Sequence, residues 1–155
     1  MDSHFIHTPI GLLHICAEDN TIVAISRSLS LFPDKDTVSH TPLLKEACHQ
    51  ISDYFLGKRI LFDLPLHPHG TPFQQAVWHV LQQIPYGETR SYKQIAQEIG
   101  CPKALRAVGH ACHCNPILLA IPCHRVIGSN KSLTGFACGI DIKRYLLEME
   151  QSQDL

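Results

Sequence analysis

Charge is scarce in this chain. Asp, Glu, Lys and Arg make up 17% of it and the formal net charge is −1, so no polycationic arm or acidic block is available to hold a partner by charge alone. Long hydrophobic runs are absent too: no window approaches the ~18 apolar residues of a membrane span. Residues 1–9 show no signal-peptide pattern. The expectation is a protein without a membrane partner that stays in the cytoplasm, or in the nucleus should its source be a eukaryote. Internal repeats and low-complexity tracts are missing, which sets aside solenoids and disordered linkers. Paired zinc knuckles are lacking as well. His110, Cys112, His113, Cys114, Cys123 and His124 crowd one region, yet Cys112-x-Cys114 is shorter than a C-x2-4-C knuckle and no second pair follows. No metal is expected.

Hydrophobic residues supply 45% of the 155, enough for one ordinary core or two small lobes. The seven cysteines are an odd number without secretory features, which argues for free thiols in a reducing compartment. Net charge is −3 over residues 1–68 and +2 over residues 69–155. The change falls at Pro65-Leu66-His67-Pro68-His69-Gly70-Thr71-Pro72, where neither helix nor strand can run long. Two domains are therefore expected, 1–68 and 69–155. In the first, short apolar runs broken by Pro9-Ile10-Gly11 and Glu18-Asp19-Asn20 predict two or three antiparallel strands with tight turns. Leu44, Ala47, Ile51, Tyr54 and Phe55 at helical spacing then predict a helix over 43–56, closed by Gly57. The histidines of this lobe are scattered, and nothing in it looks catalytic.

The second domain reads as mostly helical. Thr71-Pro72-Phe73-Gln74 and Ser91-Tyr92-Lys93-Gln94 are capping boxes. Gly100 ends the helix that Ser91 opens, and Pro102 is expected to start the next one, a helix-turn-helix at about 91–113. On that next helix Leu105, Val108 and Cys112 share a face expected to pack on the preceding helix. Lys103, Arg106, His110 and His113 share an outward polar face. Ala104, Ala107, Gly109 and Ala111 keep the surface low, so that a partner can approach closely. A mid-helix glycine costs about 1 kcal/mol against alanine, which gives Gly109 a packing or docking reason to be there.

Pro122-Cys123-His124-Arg125 lies between the apolar run 117–121 and Val126-Ile127. The thiolate, not the thiol, is the nucleophile, and a neighbouring His or Arg draws the thiol pKa from about 8.5 toward neutrality. Cys123 is read as a reactive cysteine.

In order and spacing, Tyr86-Gly87-Glu88 with Ser91-Tyr92, then Pro102-Lys103-Ala104-Leu105-Arg106-Ala107-Val108-Gly109, then Asn115-Pro116, then Ile121-Pro122-Cys123-His124-Arg125-Val126-Ile127 resemble the O6-alkylguanine-DNA alkyltransferases, also called methylated-DNA–protein-cysteine methyltransferases. The resemblance spans about residues 70–150. Before that, only the Thr8-Pro9-Ile10-Gly11 turn and the strand pattern match. It implies an α+β fold: a small ribonuclease H-like lobe of antiparallel sheet and helix, followed by a mostly helical, winged helix-turn-helix-like domain. It implies direct-reversal DNA repair by a monomer without a cofactor, acting on double-stranded DNA that carries O6-alkylguanine. The alkyl group, usually methyl, would pass irreversibly to Cys123 after base flipping through the minor groove, one lesion per protein molecule. O4-alkylthymine would be repaired to a lesser degree.

The resemblance also implies roles. His124 would deprotonate Cys123 through a water while a carboxylate orients the ring. The family pattern puts that carboxylate at Glu150, whereas the helix alone leaves Glu148 and Glu150 equal, flanking its apolar stripe on opposite sides. Asn115 would brace the active-site turn, and Tyr92 would assist flipping and donate to guanine N3. Arg106 would hold the gap in the stack, with Lys103, Ala107, Gly109 and Arg125 also facing DNA. Val126, Phe136, Ala137 and Cys138 would line the pocket, closed by residues 135–139. Cys138 stands where many members have glycine and Phe136 where many have tyrosine, so a tighter pocket is expected. The zinc ligands of some animal members have no counterpart here. Two other readings stay open on the residues alone. One is a helix-turn-helix regulator with alkylation- or redox-sensing cysteines; the other is a Cys-His hydrolase, in which the outward Arg106 would have no task.

Overall fold

Two tight turns set the first sheet. Gly11 takes φ +113° after Pro9-Ile10, while Asp19 and Asn20 take φ +51° and +59°, the left-handed pair that a two-residue hairpin loop requires. The computed structural model, which describes residues 1–28, 38–133, 136 and 138–152, accordingly has strands β1 (Asp2–Thr8), β2 (Gly11–Glu18) and β3 (Thr21–Arg27). They form one antiparallel sheet in the order β1-β2-β3. Leu13, Ile15, Ala17, Ile22, Val23 and Ile25 are buried in it. Helix α1 (Pro42–Phe55) begins where Thr41 accepts from the Leu44 N–H and contributes Leu44, Ala47, Ile51 and Tyr54 to the core. It stops at Gly57, φ +74°, with the Gly57 N–H on the Tyr54 carbonyl and the Lys58 N–H on that of Asp53, a Schellman ending.

The chain divides into two units, Met1–His69 and Gly70–Leu155. The second opens with α2 (Pro72–Leu81), whose Thr71–Gln74 capping box is complete in both directions. Trp78, fully buried, donates its indole N–H to the Ala111 carbonyl at 2.8 Å. Next come β4 (Arg90–Ser91) and α3 (Tyr92–Glu98), which carries the second complete box, Ser91–Gln94. Gly100, φ +80°, ends α3 in another Schellman motif, with the Gly100 N–H on Gln97 and the Cys101 N–H on Ala96.

Here one expectation is corrected. Pro102 does not start a helix: the Ala104 N–H bonds the Cys101 carbonyl at 2.9 Å, closing a turn with proline at its second position, which suits the same fixed φ. Helix α4 runs only over Leu105–His113 and lacks a side-chain cap. Lys103 therefore sits in the turn. Val108, Ala111 and Cys112 pack inward, but Leu105, the first helical residue, stays 46% exposed, so the face assigned to it is not fully packed. A short strand β5 (Val126–Ile127) pairs parallel with β4, Arg90 opposite Val126 and Ser91 opposite Ile127. That pairing fixes the start of α3 beside the chain leaving Cys123. Helix α5 (Ile140–Ser152) completes the unit. Among the described residues no helix is long and apolar enough to cross a membrane.

Candidate active site

The nucleophile is positioned by its own loop. Pro122 has φ −81° and ψ 64°, and the Cys123 N–H bonds the Ile121 carbonyl at 2.8 Å, an inverse γ-turn whose central torsion proline favours. Cys123 then begins a 3-10 turn, Cys123–Arg125. Asn115 stitches this loop from within. Its Oδ1 accepts from the Ile117 N–H at 3.0 Å, which fixes the amide orientation, and its Nδ2 donates to the Ile121 carbonyl at 2.7 Å and to Cys123 Sγ at 3.1 Å. Leu119 between them is buried with φ +72°, a left-handed conformation that strains a branched residue.

Glu150 answers the choice between the two acids. It is 2% exposed, whereas Glu148 is exposed. Its carboxylate takes His124 Nε2 at 2.7 Å and Arg125 Nε and Nη2 at 2.8 and 3.0 Å, a forked pair of the kind that suits guanidinium. The Gly87 N–H lies 3.5 Å from Oε1. Burial pushes the carboxyl pKa up, but the hydrogen bond from His124 and the hydrogen bonds and charge of Arg125 more than reverse this and hold it well below the usual carboxylate range. An ionised carboxylate can only accept, so His124 carries its proton on Nε2. Nδ1 is left as an acceptor, buried and without a hydrogen bond among the described residues. Burial also lowers the His124 pKa, so the ring is neutral at pH 7.

Arg125 is a correction. Expected on the DNA side, it is buried, with Nη1 on the Ile84 carbonyl at 2.7 Å and the rest of its fork on Glu150. Its charge is spent internally. Lys143 is the residue the sequence reading missed. It is fully buried on α5, with Nζ 3.5 Å from the Tyr92 hydroxyl and 5.6 Å from the ring centroid. Burial raises the Cys123 thiol to about 11, opposed by the Asn115 hydrogen bond and the Lys143 charge. Cys112, buried beneath, is pushed up to about 12 by burial, with Cys123 adding to the rise. The buried positions 143, 146, 147 and 150 of α5 follow an i, i+3, i+4, i+7 stripe. A stripe with a charge at each end was the available signal for both Lys143 and Glu150.

The remaining predicted residues separate by face. Lys103, Arg106 and Ala107 are exposed and Gly109 is half-buried. A Cβ on Gly109 would meet nothing within 4 Å, so internal packing is not its reason. Tyr92 is half-buried, Val126 fully buried, Phe136 buried and Cys138 half-buried. Ala137, with Gly135, lies outside the described residues.

A helix-turn-helix whose first helix is capped is joined by a short sheet to a buried thiol bonded by Asn115 and to a buried His–Glu–Arg array, the build of a DNA-binding domain with a candidate nucleophile. Two family models divide the chain between them: the ribonuclease-like domain of 6-O-methylguanine DNA methyltransferase over residues 1–68, and its DNA-binding domain over residues 72–152. The methylated-DNA–protein-cysteine methyltransferase of Methanosarcina barkeri is 54% identical over 117 residues, 76% of this chain and 74% of its own length. The constitutive enzyme of Bacillus subtilis is 48% identical over 151 residues, 93% and 92% of the two chains. The Mycobacterium tuberculosis OGT crystallised with DNA superposes with a TM-score of 0.89 at 42% identity, covering 99% of this chain and 94% of that one. The chain belongs to the 6-O-methylguanine DNA methyltransferase family. It is a methylated-DNA–protein-cysteine methyltransferase by activity, and the regulator reading is not favoured.

Proposed function

We propose that this protein repairs O6-alkylguanine in double-stranded DNA by taking the alkyl group irreversibly onto Cys123, and O4-alkylthymine to a lesser degree. One observation carries the reading: a neutral imidazole whose Nε2–H is pinned by an ionised Glu150, leaving a buried acceptor nitrogen on the residue next to the thiol. A thiol held to about 11 needs a base during reaction. His124 Nδ1 takes the Cys123 proton through a water, and sulfur attacks the alkyl carbon in line. The carbon–O6 bond breaks with its electrons passing to the base, while Tyr92 gives its hydroxyl proton to N3 so that guanine departs without charge and the phenolate left behind lies beside Lys143 Nζ. Arg125 does not touch DNA; it holds Glu150 ionised. Lys143 and Asn115 favour the thiolate as it forms.

The target atom lies inside the stack, so the base is extruded at a cost of a few kcal/mol. Arg106, exposed on α4, fills the gap, and the low surface at Ala107 and Gly109 lets the helix press into the minor groove. Lys103 adds a phosphate contact from the preceding turn. Cys138 narrows the pocket, so Cys138→Gly raises the ratio of benzyl to methyl transfer. The thioether product does not revert, so repair is stoichiometric. Titrating protein against a duplex with one O6-methylguanine tests this: repaired lesions plateau at one per protein molecule, and Cys123→Ser repairs none. Turnover beyond that plateau, or repair by the serine variant, contradicts the reading.

A further inference from the structure

The outward side of α4 carries two ionisable groups that the repair chemistry leaves unused. His110 and His113 are both exposed in its last turn. Together with Arg106 and Gly109 they fall at i, i+3, i+4 and i+7, one stripe along the helix, about 10 Å long at 1.5 Å per residue. We propose that His110 and His113 are two further phosphate-binding residues of this chain, engaging DNA in their protonated form, so that its affinity for duplex DNA climbs as pH falls. This rests on α4 being the DNA-facing helix.

The chemistry is direct. A neutral imidazole brings one N–H and no charge to a phosphate; the imidazolium brings two N–H donors and a full charge. A phosphate beside the ring favours the charged form, so DNA binding and proton uptake reinforce one another. Little competes for these rings. α2 and α3 pack against α4, and their titratable side chains are His79 on the first and Tyr92, Lys93 and Glu98 on the second. The turn before α4 adds Cys101 and Lys103, and α4 itself carries Arg106 and the buried Cys112. Among the described residues none of these forms an ion pair or hydrogen bond with either histidine. His110 Nε2 lies 3.4 Å from Cys114 Sγ. With the domain at +2, two added charges on the contact helix are a large fraction of what is available for phosphate.

Counterion release supplies the readout. Each phosphate neutralised steepens the fall of log K with log salt by about 0.9. Fluorescence anisotropy of the full chain on an unmodified labelled duplex, from 50 to 200 mM salt at pH 5.5 and pH 7.8, measures that slope. The expected slope is steeper at pH 5.5 by about 1.8, so the same salt increase weakens binding by about 12-fold more there. The double variant His110→Gln, His113→Gln should lose this difference. Equal slopes at the two pH values, or a difference that survives in the double variant, overturn the proposal. Arg106→Ala separates the two levels of the argument. It should weaken binding at both pH values; if it does not, and the histidine variant is also silent, α4 is not the DNA face and the underlying reading fails.

Discussion

The two units use the same local devices and bury different things. Both begin helices with Thr or Ser caps, and both end one in a Schellman glycine, Gly57 in the first and Gly100 in the second. Among the described residues, however, Met1–His69 buries one polar side chain, Gln50. Its amide bonds the Asp63 N–H and carbonyl and reaches Glu46, ordinary completion of a loop against a helix. Gly70–Leu155 buries His124, Arg125, Lys143 and Glu150. Taking an ion out of water costs several kcal/mol unless it is well paired, and apolar replacements of such pairs are often no less stable. Packing alone does not ask for this cluster. Holding one imidazole tautomer beside a thiol does.

That contrast can be broken most severely at Glu150. Glu150→Gln leaves the Arg125 guanidinium buried without its anion, and should destabilise the second unit by about 3–5 kcal/mol. Trp78, the chain's single tryptophan, lies in α2 and reports that melting by fluorescence. Asn115→Ala comes next. It removes the hydrogen bond to Sγ and two loop contacts, and single-turnover transfer to Cys123 should slow by about 10-fold or more, about 1.4 kcal/mol of barrier. Unchanged transfer would show that Asn115 only shapes the loop.

Acid should also act on the second unit more than on the first. Glu150 and His124 both have folded pKa values below their ordinary ones, so the unfolded chain binds more protons. Their contribution is present above about pH 6.5 for the imidazole and about 4.3 for the carboxyl. It is lost as pH falls through the depressed folded values. The Trp78 transition should drop steadily in temperature from pH 7 to pH 4. Gln50→Leu acts on the first unit instead, costing about 1–3 kcal/mol for α1 opening by amide hydrogen exchange, with the transfer rate of the folded protein unaltered. A matching loss of transfer would erase the distinction between the units.

Much of this architecture was legible because its signals are local. The capping boxes, the two helix-ending glycines and the Asp19-Asn20 turn each depend on residues within one turn of chain. Pro102 misled because a helix's first position and a turn's second position ask for the same φ. Arg125 misled because its partner is remote in sequence: the resemblance put it on the DNA side, and only folding brings Glu150 to it. Lys143 escaped because a search for apolar stripes passes over a lysine, although its spacing to Leu146, Leu147 and Glu150 is that of a buried face.

The most direct test of the central claim is where the alkyl group goes. The protein is incubated with duplex DNA containing O6-methylguanine, and its intact mass and digested peptides are measured. The account predicts one added methyl group per molecule, on the Cys123 peptide alone, despite Cys101 and Cys114 being the exposed thiols. Methyl on Cys112, Cys114 or Cys138 in place of Cys123, or unmodified protein alongside repaired DNA, would contradict it.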